Sequence, residues 1–230
     1  MCGRIVFFKS KEKIINELLI DKWDESQYSS NYNTVPSNKL YVLTSKKNLR
    51  VVETMTWGIP SERSNRIDSK KLINARVETI QQKPSFRNLL KTNRCLIICD
   101  GYYEWKRGPA GSQPYYIYRK SKKLMLMAGL WTTSNLNSKK NVYSCTIITK
   151  SSQHTISEIH HRMPYTLHLS DVDTWLNCID NSYSYSISNL SHSDIELEYY
   201  AVSKAINYSF NNNPELLNPI NFKKTINLFP

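Results

Sequence analysis

The five residues Cys95-Leu96-Ile97-Ile98-Cys99 are apolar without a break and are bounded by Arg94 and Asp100. A run this short and this uniform reads as a strand buried on both faces rather than as a helix. Such a strand needs partners on either side, and the chain offers them. Residues 40–44 and 49–57 read as a hairpin about the turn Ser45-Lys46-Lys47-Asn48, and residues 115–119, 124–131, 141–149 and 197–202 read as further strands. The expectation is therefore a strand-rich, strongly aromatic sheet system, in which the buried run delivers Asp100-Gly101-Tyr102-Tyr103-Glu104-Trp105 at its end.

The helical signal is thinner. Ile14, Ile15, Leu18 and Leu19 fall on one face of a short amphipathic helix over residues 11–20. Residues 72–79 are expected to open a second helix, with Asn74 at its boundary in the common role of an N-cap. A third begins at Ser170-Asp171-Val172-Asp173 and runs through Trp175, Leu176 and Ile179. Residues 26–38 read as a loop stiffened by Pro36, residues 181–193 as a loop, and the tail from about 207 as irregular. No Pro-, Gly- or Ser-rich linker divides the 230 residues, so one domain over 1–230 is expected.

Lys and Arg number 31 against 19 acids, a formal charge of +12. That excess suits a polyanionic partner, although lysines in turns are equally explained by a solvated surface. Five cysteines without a CxxC pair, and histidines at no matching spacing, indicate neither a disulfide framework nor a metal site. No apolar run approaches bilayer length, and the protein is expected to be intracellular with no membrane partner.

The chemistry-bearing stretch comes first in the chain. If Met1 is removed, Cys2 presents an α-amine and a thiol on one residue, a reagent for aldehydes; an unperturbed α-amine titrates near ~7.7–8.0 and a cysteine near ~8.5. Taken alone, Met1-Cys2-Gly3-Arg4 is most economically a frayed end. Glu104 sits among aromatics, where its carboxylate either faces water or is partly desolvated with a raised pKa, as in general acids. His160-His161-Arg162-Met163-Pro164 follows a core strand, a common place for chemistry.

In this order, the N-terminal Cys2, Asn74-Ala75-Arg76 with Glu78-Thr79, Gly101-Tyr102-Tyr103-Glu104-Trp105 and His160-His161-Arg162-Met163-Pro164 closely resemble the SRAP (SOS-response-associated peptidase) family. Further matches are Tyr32-Asn33 with Pro36, Trp57-Gly58, Ala128-Gly129-Leu130-Trp131, Ile148-Thr149, and Val202-Ser203 followed by Asn207 and Pro214. The resemblance spans nearly the whole chain. One departure is His161, at a position where many relatives carry an acid.

What the resemblance implies is an α+β fold: a single SRAP-type domain with a β-barrel-like antiparallel sheet system and flanking helices. It further implies a monomer, without cofactor or metal, whose partner is single-stranded DNA containing abasic sites; it names no replication-fork protein. By the same resemblance the mature Cys2 attacks the sugar aldehyde through its amine as a Schiff base and closes a thiazolidine with its thiol. Asn74 would hold the terminus and sugar, Glu104 would move protons, and His160 would bond the sugar oxygen. Arg4, Arg76 and Arg162 would lie on phosphates, Trp57 and Trp105 under bases or near a wedge, and Pro36 and Thr149 along the channel. This is the single-strand recipe of cations and aromatics without base-edge readout. Two other readings stay open: an N-terminal-nucleophile hydrolase that includes self-removal of Met1, and a non-covalent single-stranded DNA-binding module.

Overall fold

A computed structural model describes residues 2–23, 28–61, 71–109, 111–134, 142–190 and 195–220. Strand β1 (Arg4–Phe7) leads into helix α1 (Lys11–Leu18) and the short β2 (Lys22–Trp23). Then come β3 (Asn31–Thr34), β4 (Lys39–Lys46), β5 (Leu49–Trp57) and β6 (Asn74–Arg76). The one-turn helices α2 (Pro84–Arg87) and α3 (Leu89–Thr92) precede the long strands β7 (Arg94–Cys99), β8 (Gly101–Gly108), β9 (Gly111–Arg119), β10 (Met125–Ser134) and β11 (Val142–Ser151). The described chain continues through β12 (Arg162–Pro164), β13 (Thr166–Leu167), α4 (Val172–Leu176), α5 (Tyr183–Asn189) and β14 (Leu197–Ala201).

The uniform apolar run is the middle of a barrel. Strands β11, β10, β7, β4 and β5 are hydrogen-bonded neighbours in that order, and β5 pairs back onto β11 through Thr56–Ser144 and Trp57–Cys145, so the five close a ring. Closure leaves these strands without a free edge between them. Alternate residues of each strand meet on the inside, among them Val42, Met55, Trp57, Cys95, Ile97, Met127, Cys145 and Ile147. The residues between them, such as Leu43, Leu96, Ile98 and Ala128, face outward and are covered by Ile14 and Leu18 of α1 and Trp175 of α4. This is why residues 95–99 are apolar on both faces.

Gly129 is required by that crowding. A Cβ there would run into the Ile97 side chain and lie 2.8 Å from the Thr146 carbonyl oxygen. Gly129→Ala is expected to lower stability by about 1–3 kcal/mol, read as a lower urea midpoint with an unchanged slope.

The second sheet, in the order β14-β9-β8-β1-β3, is antiparallel throughout. Its Ile5, Tyr102 and Ile117 join the barrel interior, while Val6, Tyr103 and Tyr116 form a separate cluster on the other face. Asp100 makes the corner where β7 leaves the ring and β8 enters this sheet. Its carboxylate accepts the backbone N–H groups of Phe8 (2.6 Å) and Lys9 (2.9 Å), and its own N–H donates to Val6 O. The ring is thereby tied to β1, the strand that carries the N-terminal cysteine.

Several expectations hold and others change. The hairpin forms with a two-residue turn in which Lys47 and Asn48 are left-handed (φ 51° and 61°), the geometry whose twist suits a hairpin. The sheet system is mixed rather than wholly antiparallel, since β5 and β6 both run parallel to β11 and β2 runs parallel to β5. Residues 74–76 form a strand instead of opening a helix because β11 offers them a ladder, with Ile147 N donating to Ile73 O and Val77 N to Thr149 O. Within the segment read as a loop, α5 forms with Ser182 as its N-cap, accepting from Tyr185 N at 3.1 Å.

Candidate active site

Cys2 is fully buried, with no exposed surface. It lies just ahead of β1, packed in the barrel-interior cluster beside Ile5 and Tyr102, and Asn74 at the start of β6 donates from Nδ2 to its carbonyl oxygen at 2.9 Å. The frayed-end expectation fails for this reason: the first described residue is pinned between two sheets. Asn74 Oδ1 is also buried and has no hydrogen-bond partner among the described residues.

Glu104 reaches the same place from β8. Successive strand residues alternate faces, so Glu104 shares the inward face with Tyr102 while Tyr103 and Trp105 face the other cluster. Its side chain is buried, and Oε2 lies 4.0 Å from His160 Nδ1. Burial, and next the Glu104 charge, push the Cys2 thiol far above the ordinary thiol range. The thiol is thus held protonated. Tyr102 is raised above all by the same burial, and its hydroxyl lacks a partner among the described residues.

His160 follows a 3-10 turn (His154–Glu158) and is held by its Nδ1 edge, 3.0 Å from Arg162 N and 3.1 Å from Arg162 O. The exposed His161 ring lies 4.3 Å from it, centroid to centroid. The pKa of His161 is lowered, first by the charge of His160 and then by slight desolvation, with Arg162 and Arg76 adding to the effect. An acid at this position would be drawn to those cations. A histidine tends instead to stay neutral.

The structure brings Cys2, Asn74, Glu104 and His160 together, and it leaves some of the residues expected on DNA exposed and buries others. Arg76 is exposed, and Arg4, Pro36 and Trp105 are partly exposed. Trp57, expected under a base or near a wedge, is a correction: it is wholly buried inside the ring, where a small barrel needs a large filler, and its Nε1 donates to Ile73 O at 3.0 Å. Thr149 is fully buried too, bonded to Ala75 O and to Arg162. Arg162 gives its fork to Glu78 (2.6 and 3.0 Å) and to Thr149 O (2.6 Å), which fastens β12 to the turn after β6. A planar guanidinium matches a carboxylate in this bidentate way.

The Glu78 carboxyl is held below its ordinary value, first by the hydrogen bond from Arg162. The pair's contribution to stability is complete above the ordinary glutamate pKa of ~4.3 and is lost as pH falls through the lowered folded value. Glu78→Gln is expected to remove that acid-side loss, seen by comparing thermal melts of the two proteins across the acid range; with Glu78 half exposed, the difference should be small.

Sequence reasoning missed three buried polar residues that hold this arrangement. Arg94 donates to the carbonyls of Leu90, Trp175, Asn177 and Asn181. Asn33 donates to Ile206, Tyr208 and Asn211 carbonyls and accepts from Arg4. Asp100 makes the corner described above. Of the three, Arg94 and Asp100 were visible only as the ends of an apolar run.

Four of the cysteines, Cys2, Cys95, Cys99 and Cys145, are buried and unbridged. Among the described residues no group of three or more His, Cys, Asp or Glu is placed to hold a metal, and no helix is long and apolar enough to cross a membrane. The expected loss of Met1, and the turns expected at Lys70, Lys139, Lys140, Lys223 and Lys224, lie outside the described residues.

Residues 1–209 match the family described as SOS response associated peptidase (SRAP). The chain is 36% identical over 221 residues to the abasic site processing protein YoqW of Bacillus subtilis, covering 94% of this chain and 99% of that one. It is 32% identical over 226 residues to the abasic site processing protein HMCES of Xenopus tropicalis, covering 84% and 67%. A crystal structure of a protein from Bacteroides thetaiotaomicron superposes with a TM-score of 0.82 at 24% identity, covering 95% of this chain and all of that one, which bears on the fold alone.

Proposed function

The chain belongs to the SRAP family, and on that footing we propose that it processes abasic sites in single-stranded DNA by forming a covalent link through Cys2. The observation that carries this is the burial of Cys2 against Glu104, with its carbonyl held by Asn74. That sets an amine-and-thiol reagent beside a carboxyl and an imidazole.

Hydrolysis of the Met1–Cys2 bond frees the α-amine. The ring-opened sugar of an abasic site exposes an aldehyde, and the amine nitrogen bonds to its carbon; the carbonyl oxygen takes up protons and leaves as water, giving an imine. The sulfur then adds to the imine carbon while the thiol proton passes to nitrogen, which closes the thiazolidine. One water is lost overall.

Glu104 takes the proton from the Cys2 ammonium and returns one to the departing oxygen, as a carboxyl within reach of both can. His160 acts at the sugar ring oxygen. Asn74 Oδ1 accepts from the α-amine, which gives its unpartnered oxygen a role. Arg76 and Arg4 supply phosphate contacts, Trp105 a base contact and Pro36 the channel wall, while Arg162, Thr149 and Trp57 hold the surrounding strands. A protonated thiol favours this amine-first order and disfavours a hydrolase that would begin from a thiolate.

The test is direct. The Met1-free protein is mixed with a single-stranded oligonucleotide carrying one abasic site and resolved under denaturing conditions. A retarded band is expected, and none with an undamaged strand of equal length. Peptide turnover without a band would reverse the reading.

A further inference from the structure

Two strongly exposed aromatic rings belong to a loop with no role so far. Tyr208 and Phe210 are 61% and 80% exposed, and their rings lie 5.7 Å apart. Scattered apolar residues on a surface need no explanation. These two differ because their loop is held by Asn33 of β3, the neighbour of the N-terminal strand. The Asn33 amide donates to three of the loop's carbonyls at 3.0–3.2 Å, and Asn211 Nδ2 bonds back to Ala205 O at 2.8 Å.

The same loop is joined to both ends of the reactive site. Arg4, two residues beyond Cys2, donates from Nη2 to Asn207 O at 3.2 Å, and Trp105, next to Glu104, donates from Nε1 to Asn207 Oδ1 at 2.9 Å. Asn207 therefore ties the loop to the chain neighbours of Cys2 and Glu104, on the sheet face that Trp105 shares with Val6 and Tyr103. Tyr208 follows Asn207 directly, so the loop that carries the rings lies against Trp105, on the face of β8 opposite to the one that Glu104 lines. Exposed cations in the adjoining chain are Lys204, in the 3-10 turn just before the rings, and Lys106 and Arg107, which follow Trp105 on β8.

We infer that Tyr208 and Phe210 form a stacking platform for single-stranded DNA, taking the bases of one flank as the strand leaves the site past Trp105. The platform rests on the reading of the site as one for single-stranded DNA. Its chemistry follows from the parts: rigid aromatic faces for bases and nearby cations for phosphates, with no edge-reading groups and hence little sequence preference. The rings cost little ordering entropy on binding because their backbone is already fixed.

The experiment measures binding of an undamaged single strand by fluorescence anisotropy, so that it reads stacking whether or not an adduct forms; failure of the covalent reading shows separately on the denaturing gel. Tyr208→Ser combined with Phe210→Ser is expected to weaken binding by about tenfold or more. Tyr208→Phe combined with Phe210→Tyr, which keeps both rings, should bind as the parent does. Strands with an abasic site and only one nucleotide on the 5′ or the 3′ side locate the contact: trimming one side should abolish the difference between parent and serine variant, and trimming the other should preserve it. Equal affinity of parent and serine variant overturns the proposal, as does a defect that persists with both trimmed strands. Loss of binding in the ring-preserving variant overturns it too.

Discussion

Cys2→Ala should leave no denaturant-resistant adduct with abasic single-stranded DNA, and protein that retains Met1 or a tag ahead of Cys2 should behave the same way. The first lacks the thiol that closes the ring; the second has an amide where the amine should be. Cys2→Ser separates the two steps. It keeps the amine and should still form the imine, so its adduct should appear only when borohydride is present to reduce the C=N bond. The argument rests on where Cys2 lies. Its thiol is buried and held protonated, whereas an α-amine near ~7.7–8.0 is partly free at neutral pH, so the amine is the group able to begin. A hydrolase using the thiol as nucleophile would lose activity in all three proteins but would show no dependence on an aldehyde or on borohydride.

Glu104→Gln is expected to slow adduct formation by about 10²–10³-fold, the ordinary range for removing a general acid–base group, while leaving affinity for an undamaged strand unchanged. Glutamine keeps the shape and one acceptor of a side chain that is only 5% exposed, so the fold should persist. It cannot carry a proton between the amine and the departing oxygen. The defect should shrink as pH rises past ~8, where most of an ordinary α-amine is free without help. Single-turnover rates across that range, followed on denaturing gels, provide the check; a loss that is constant with pH would place Glu104 in a positioning role only.

Much of this arrangement was legible because local pattern and global structure agree. The run at 95–99 is apolar on both faces because it separates the barrel interior from the helix layer, and Glu104 follows it at the inward positions of β8. Closure of the ring was less visible. The Trp57–Cys145 pairing is parallel and joins distant segments, and nothing local encodes it. Asn74 illustrates the same limit: its sequence suits a helix cap, but the backbone of β11 draws it into a strand, where its amide reaches Cys2.

Buried polar residues were the other gap. Arg162 and Trp57 fit a DNA surface by residue type, yet one is spent on Glu78 and the other fills the barrel. Arg94 shows only as the end of an apolar run and Asn33 only within the family resemblance, because a residue that satisfies several distant carbonyls has the same local context as one facing water. Tyr102 escaped for a related reason. As one of two adjacent tyrosines it could not be told from Tyr103, and only the strand's alternation turns its hydroxyl toward Cys2 and Glu104.

The most direct measurement is the intact mass of the purified adduct, followed by mapping of the attached peptide. The account predicts the mass of the chain without Met1, plus that of the abasic oligonucleotide, less one water, with the attachment on Cys2. An adduct that retains Met1, or one attached through a lysine, would contradict it.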